Sequence, residues 1–355
     1  MKRALCPWKS KLGGRMEALL AAVLVSFLTT FFLTPKVIEF LRSIRVVAVD
    51  FHKRGKPLVP ASGGLCVSSG VLLGIFFYTA VQTFLFNHTA GSLVNPVHLL
   101  AATSSILIVT LTGFLDDLNV KARMVRTKDG VNVKVGFPQW IKPVLTLPGA
   151  IPLVVIKAGV TRMDLPFIGV VDFGLLYPLL IIPVGFIGAS NMVNMLGGFN
   201  GLEAGMGVIY TLSLGLYIWI AGEREAAVLL LTASAALLAF LRYNWCPAKI
   251  LAGDSLTYLL GSLVATGVIL GNMERAGLIV MTPFIVEFFL KARSRFKASC
   301  IGRIREDGSL EPPYGRKIYS WTHIFMNLGR LREVDVTIGL LAVQAIFALL
   351  PFFIL

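Results

Sequence analysis

Two adjacent carboxylates, Asp116 and Asp117, close the apolar run "HLLAATSSILIVTLTGFL". Acidic side chains at the edge of an apolar span are costly and often functional. The bland reading is a helix end at an interface, with both carboxylates in water. An adjacent pair with few other carboxylates nearby favours chemistry: both can hold Mg²⁺, or one can orient a metal while the other takes a proton. Asp254, in "AGDSLTYLLG", is either an N-terminal helix cap or a further oxygen ligand for the same cation. Asn191 and Asn194 share a face if they are helical, and an amide oxygen is a fair ligand for a hard cation. Asn200 follows in the glycine-rich stretch "NMVNMLGGFNGLEAG", where backbone can approach a flat or phosphorylated ligand. Turn chemistry alone accounts for Gly197, Gly198, Asn200 and Gly201, but not for both Asn191 and Asn194 near a span end. Arg293, Arg295, Lys297, Arg303 and Arg305 cluster later in the chain. Arginine forks match phosphate oxygens, and a basic loop lying on anionic lipid accounts for the charge as well. His323, in "YSWTHIF", reads first as structural or interfacial. Taken together, these residues suit phosphoryl transfer, in which carboxylates and an amide hold Mg²⁺, arginines neutralise a diphosphate, and a helix bend admits a nucleotide.

The elements that must position them are apolar helices. The chain has 355 residues, 56% of them hydrophobic, above the proportion usual in soluble domains. Apolar segments recur at 16–35, 63–86, 97–115, 139–157, 174–191, 201–221, 225–241, 255–271, 276–290 and 336–354, near the length needed to span a bilayer. The pattern predicts an all-α polytopic membrane protein of about ten transmembrane helices, forming a single domain over 1–355 with a large loop at 291–335. The loops after odd-numbered spans carry most of the Lys and Arg, from Lys36 and Arg42 to the run between Lys291 and Arg332. Those loops are therefore expected in the cytosol, with both termini outside. The basic tail Lys2, Arg3, Lys9, Lys11 and Arg15 runs against that orientation. Every distinctive polar cluster falls in an odd-numbered loop, so all of them can converge on one face. The first apolar run lacks a small-residue cleavage site and reads as a retained span. The net charge of +14 fits positive-inside loops and membrane lipids, not nucleic acid, since no basic soluble module exists to carry it. Cys6, Cys66, Cys246 and Cys300 lack metal or disulfide spacing. A transporter with Asp116, Asp117 and Asp254 along its pathway would place them near mid-membrane, whereas here they sit at span ends.

In this order, "GFLDD", "NMVNMLGGFNGLEAG" and "YNWCPAKILAGDSLTYLLG" resemble the polyprenyl-phosphate N-acetylhexosamine-1-phosphate transferases. The resemblance covers nearly the whole chain. It is strongest toward the archaeal and eukaryotic branch that uses UDP-GlcNAc and dolichyl phosphate, and "PFIVEFFLKARSRF" and "KIYSWTHIFM" resemble the archaeal side. It implies a reaction in which UDP-GlcNAc and dolichyl phosphate give dolichyl-diphospho-GlcNAc and UMP, the first step of lipid-linked oligosaccharide assembly for N-glycosylation. Another UDP-HexNAc or undecaprenyl phosphate is the alternative. The resemblance implies Mg²⁺, or Mn²⁺ in its place, on Asn194 and Asp254, and an acidic pair at Asp116 and Asp117 near the metal and lipid phosphate. It also implies uracil contacts at Gly198, Asn200 and Leu251, and a diphosphate grip by Arg303 and Arg305. Asn191 is expected to bind substrate as well, on the residue reading alone. The setting implied is an archaeal cell membrane with the site facing the cytosol, and a homodimer is left open. The muramyl-pentapeptide branch has Asp where this chain has Gly197, and a histidine-rich motif where this chain has "KASCIGRIRED". Ala61 stands where the eukaryotic enzymes carry a glutamate. Asn119 and Lys121 align with the family only after a shift.

Overall fold

The computed structural model describes residues 7–85, 94–118, 124–126, 132–134, 137–165 and 169–355. Asn119 and Lys121 lie outside them, as do Lys2 and Arg3. Seven described helical segments are long and apolar enough to cross a membrane. They lie in α1 (Pro7–Ser43), α2 (Gly64–Leu85), α3 (Pro96–Leu118), α7 (Leu202–Ala221), α8 (Arg224–Asn244), α9 (Gly253–Gly271), and α13 (Glu333–Leu349) with its short continuation α14 (Pro351–Ile354).

The other three expected spans are helical but broken. Segment 139–157 is α4 (Lys142–Thr146), a 3₁₀ turn (Leu147–Ala150) and α5 (Ile151–Val155). Pro143, Pro148 and Pro152 punctuate it, each removing a backbone donor and crowding the preceding turn. Segment 174–191 begins as a π-helical stretch, Tyr177–Ile181, before α6 (Ile182–Val193). Segment 276–290 splits at Met281, just before Pro283, into α10 (Glu274–Val280) and α11 (Thr282–Ala292). The loop expected at 291–335 contains α12 (Trp321–Leu328), whose N-terminus is capped by the Ser320 side chain accepting from Thr322 N.

Among the described residues, four antiparallel strand pairs punctuate the loops: β1–β2 (Val47–Val49, Leu58–Pro60), β3–β4 (Met124–Arg126, Asn132–Lys134), β5–β6 (Arg162–Leu165, Gly169–Asp172) and β7–β8 (Arg303–Ile304, Leu310–Glu311). β1–β2 is joined to the segment before α9, because Leu251 N donates to Pro60 O at 2.8 Å and Gly63 N to Ala252 O at 2.8 Å.

At the centre stands α9, packed against α3, α6 and α8. Its apolar window is 89% buried, against 28% for α1 and for α13–α14 at the rim. Small residues permit this closeness. A Cβ on Gly113 would lie 2.5 Å from Ser255 Cα, one on Gly64 2.4 Å from the Ser255 backbone, and one on Gly261 2.3 Å from Ala189 O. At the rim, Leu20, Leu24, Phe32, Leu111 and Ile346 face outward, as suits helices solvated by lipid.

Candidate active site

α3 delivers its two terminal carboxylates in different directions, since consecutive helical side chains point about 100° apart. Asp117 accepts from Asp254 N at 2.7 Å and from Ser255 N at 3.1 Å. It therefore caps α9 from another helix and satisfies donors that a helix start leaves open. Gly253, at φ +69°, makes the turn; a Cβ there would lie 2.5 Å from Asp117 Oδ2. Asp116 points the other way. Its Oδ1 accepts from Phe137 N at 2.7 Å, and its Oδ2 takes the Tyr258 hydroxyl at 3.4 Å.

Between Asp116 and Asp254 lies a cation that the sequence pattern hid. Lys142 Nζ is 2.9 Å from Asp116 Oδ2 and 2.8 Å from Asp254 Oδ2. Its residue is buried, at 7% exposure, because α4 starts against α3 and α6. One ammonium among three carboxyl groups leaves the cluster short of positive charge. Among the described residues, no three His, Cys, Asp or Glu side chains form a ready-made metal cage. A divalent ion would have to complete its shell with an amide, water and substrate oxygens. That is the usual habit of Mg²⁺, which binds through one or two carboxylates plus phosphates.

Asn194, at the C-terminal end of α6, supplies such an amide. It lines the same cavity as Asp254, and its Oδ1 accepts from Thr257 Oγ1 at 2.9 Å. Asn191, one turn earlier, is committed elsewhere: its Nδ2 donates to Thr146 Oγ1 at 3.0 Å and to Ile187 O at 2.9 Å. Asn191 does not line the cavity. Past Asn194 the chain turns through Gly198, at φ +94°, a conformation that glycine adopts without strain. Gly198 N donates to Glu203 Oε1 at 2.8 Å, Asn200 N to Glu333 Oε1 at 2.8 Å, and Asn200 Nδ2 to Asp50 Oδ2 at 2.9 Å. A Cβ at Gly197 would sit 2.6 Å from Glu203 Oε1. A side chain at 197 would therefore require the Glu203 carboxylate to shift.

These parts surround one cavity of about 850 Å³. Asp116, Asp117, Asn194 and Asp254 line one end, and Gly198, Asn200 and Leu251 lie on its walls. Ser299, Cys300 and Ile301 also line it, as do β1 and Leu58. Arg303 and Arg305 stand just beyond, on β7 and its turn, outside the lining. Arg303 pairs in register with Glu311, and Arg305 Nε is 3.7 Å from Glu311 Oε2. The arginine that does line the cavity is Arg45. His323 lies behind the wall: its Nδ1 accepts from Tyr319 N at 3.1 Å and its Nε2 meets Ser299 O at 2.9 Å. Burial, with the Lys291 charge adding to it, holds this imidazole below its usual pKa.

Sequence reasoning missed Lys142, Glu203, Glu333 and Asp50. Lys142 had a faint signal, one of two lysines in the apolar segment 139–157. Glu203 stands within the glycine-rich stretch, at the start of α7.

Residues 99–272 match the family model described as glycosyl transferase family 4. A protein of Saccharolobus solfataricus, provisionally named as a UDP-N-acetylglucosamine–dolichyl-phosphate N-acetylglucosaminephosphotransferase, is 33% identical over 95% of this chain and 96% of its own length. A Dictyostelium discoideum protein bearing that name without qualification is 26% identical over 76% of this chain and 70% of its own. The phospho-N-acetylmuramoyl-pentapeptide-transferase of Halalkalibacterium halodurans is 29% identical over 76% of this chain and 80% of its own.

Proposed function

The chain belongs to glycosyl transferase family 4, and from that premise we propose that it transfers N-acetylglucosamine 1-phosphate from UDP-GlcNAc to dolichyl or another polyprenyl phosphate. The products are the lipid-diphospho-GlcNAc, which opens lipid-linked oligosaccharide assembly, and UMP. The observation that carries this reading is the single cavity in which Asp116, Asp117, Asn194 and Asp254 meet the Gly198–Asn200 turn and Leu251.

An oxygen of the lipid phosphate attacks the β-phosphorus of the UDP-sugar. The bond from that phosphorus to the α–β bridging oxygen breaks, and UMP leaves with the electron pair. A phosphate monoester has a second pKa of about 6 and is largely a dianion at neutral pH, so the nucleophile needs no base. The carboxylates agree with that. Asp117 spends both oxygens on the amides of α9, and Asp116 spends its own on Phe137 N, Lys142 and Tyr258. Their work is placement: Asp117 fixes the start of α9 and so the bearing of Asp254. Lys142 keeps Asp116 and Asp254 from repelling one another and offers an ammonium to a phosphate that approaches them. The residues fit a divalent cation on Asp254 and Asn194; when bound, Mg²⁺ would neutralise charge on the diphosphate as the bond breaks. The Gly198–Asn200 turn and Leu251 would form the uracil end of the cavity. The basic odd-numbered loops support a cytosolic placement of this face.

The test is UMP release from purified protein in detergent, supplied with UDP-GlcNAc, a polyprenyl phosphate and Mg²⁺. Release together with a glycolipid product, both lost with EDTA and reduced about 100-fold or more in Asp254→Asn, is expected. Turnover only with a different UDP-sugar would keep the chemistry and change the substrate. No UMP from folded protein under any of these conditions would overturn the assignment.

A further inference from the structure

Away from the carboxylate cluster, one buried side chain draws three walls of the cavity together. Glu333, the first residue of α13, is 5% exposed. Its Oε1 accepts from Asn200 N at 2.8 Å and faces His52 Nδ1 at 3.6 Å. Its Oε2 is paired with Lys53 Nζ. His52 in turn accepts from Gly302 N at 3.1 Å through Nε2, so its proton sits on Nδ1, toward Glu333. The same ring packs on Phe199, 4.3 Å between centroids. One turn along α13, Thr337 Oγ1 reaches Asn200 O at 3.5 Å, on the same helix face as Glu333. Both polar groups of the Asn200 peptide are thus held by α13. The Asn200 side chain is left to the hairpin through Asp50.

We infer that Glu333 is a positioning residue for the nucleotide end of the cavity. Its carboxylate holds the Asn200 peptide N–H, and through Lys53 and His52 it sets the loop at 197–200 against the β1–β2 hairpin and the strip at 299–302. This rests on the proposed reading of the cavity as a UDP-sugar site. No carboxylate oxygen of Glu333 touches the cavity, so its effect on substrate runs wholly through the loop. A buried amide left without an acceptor is costly, and the turn relieves that cost by leaving the position that receives the nucleotide.

The test compares Glu333→Met with Glu333→Gln, each in a Lys53→Met background so that Lys53 is not left unpaired and the loss of its 3.8 Å contact with Asp50 is common to both. Both variants lose the ion pair, but only the methionine loses the acceptor for Asn200 N. The expected result is a KM for UDP-GlcNAc raised about tenfold in Glu333→Met and about threefold or less in Glu333→Gln. The KM for the lipid phosphate and kcat are expected to change less than that. A merely structural role would lower the amount of active protein, and hence kcat, with both KM values unmoved; that outcome would overturn the inference. Wild-type turnover with UDP-GlcNAc decides the underlying reading separately. Independently of activity, hydrogen exchange at 198–201 in the full chain is expected to be faster in the methionine variant than in the glutamine variant. Equal protection in the two would also overturn it.

Discussion

Asp116 and Asp117 are neighbours in the chain with separate tasks, and substitution should separate them. Asp117→Asn removes an acceptor from the start of α9 and should cost about 1–2 kcal/mol of stability, read as a lower unfolding midpoint in detergent. Asp116→Asn faces Lys142 and Asp254 and should chiefly lower turnover, with a smaller shift in that midpoint. A Lys142→Met variant leaves Asp116 and Asp254 without the ammonium between them. UMP release should fall about 100-fold, and normal release would show that the lysine does no more than fill space. The carboxylates and amides were legible because polar residues at apolar span ends stand out. Lys142 was not, because it is 112 residues from Asp254 in the chain and only the fold brings them together. Glu333 was hidden by its place at the end of a basic loop, where a carboxylate reads as ordinary surface charge.

The long helices could be read from apolar length, and the broken ones could be located but not drawn. Prolines at 143, 148 and 152 mark trouble without saying that α4 begins with its lysine turned inward. The described strands are only 2 to 4 residues long, so periodicity had nothing to register. Packing predictions belong at this scale. Gly113→Ala would place a Cβ 2.5 Å from Ser255 Cα, backbone that cannot swing aside, so α3 must move from α9. Loss of both stability and turnover is expected, whereas Gly308→Ala, with no atom within 4 Å of its added carbon, would cost only the strain of its positive φ. His323 gives α12 a pH response. Its folded pKa is depressed by burial, so the unfolded chain binds the proton more readily. Its contribution is complete above the unfolded value of about 6.5 and is lost as pH falls below it. The unfolding midpoint should drop from pH 7 to pH 5.5, and the drop should be smaller in His323→Gln.

For the molecule as a whole, the charge pattern assigns the cavity to the side holding the β1–β2 hairpin. A cysteine placed at the exposed Arg54 should react with an impermeant maleimide in inverted vesicles and be protected in right-side-out ones. The opposite pattern would reverse the orientation read from the loops. Composition alone made the class legible, since a chain this apolar has little choice beyond a helix bundle. How the bundle closes around α9 was not legible, because it depends on glycines whose partners lie far away in sequence. Gly64 from α2 and Gly113 from α3 both press on the backbone at Ser255, while Asp117 holds the amides of Asp254 and Ser255. The consequence reaches into heredity. Each of these positions forbids change while the others stay as they are, so a lineage carrying this crossing has few single-step exits from it. Descendants are expected to vary around the rim and in the hairpin turns, while the start of α9 is inherited as a block.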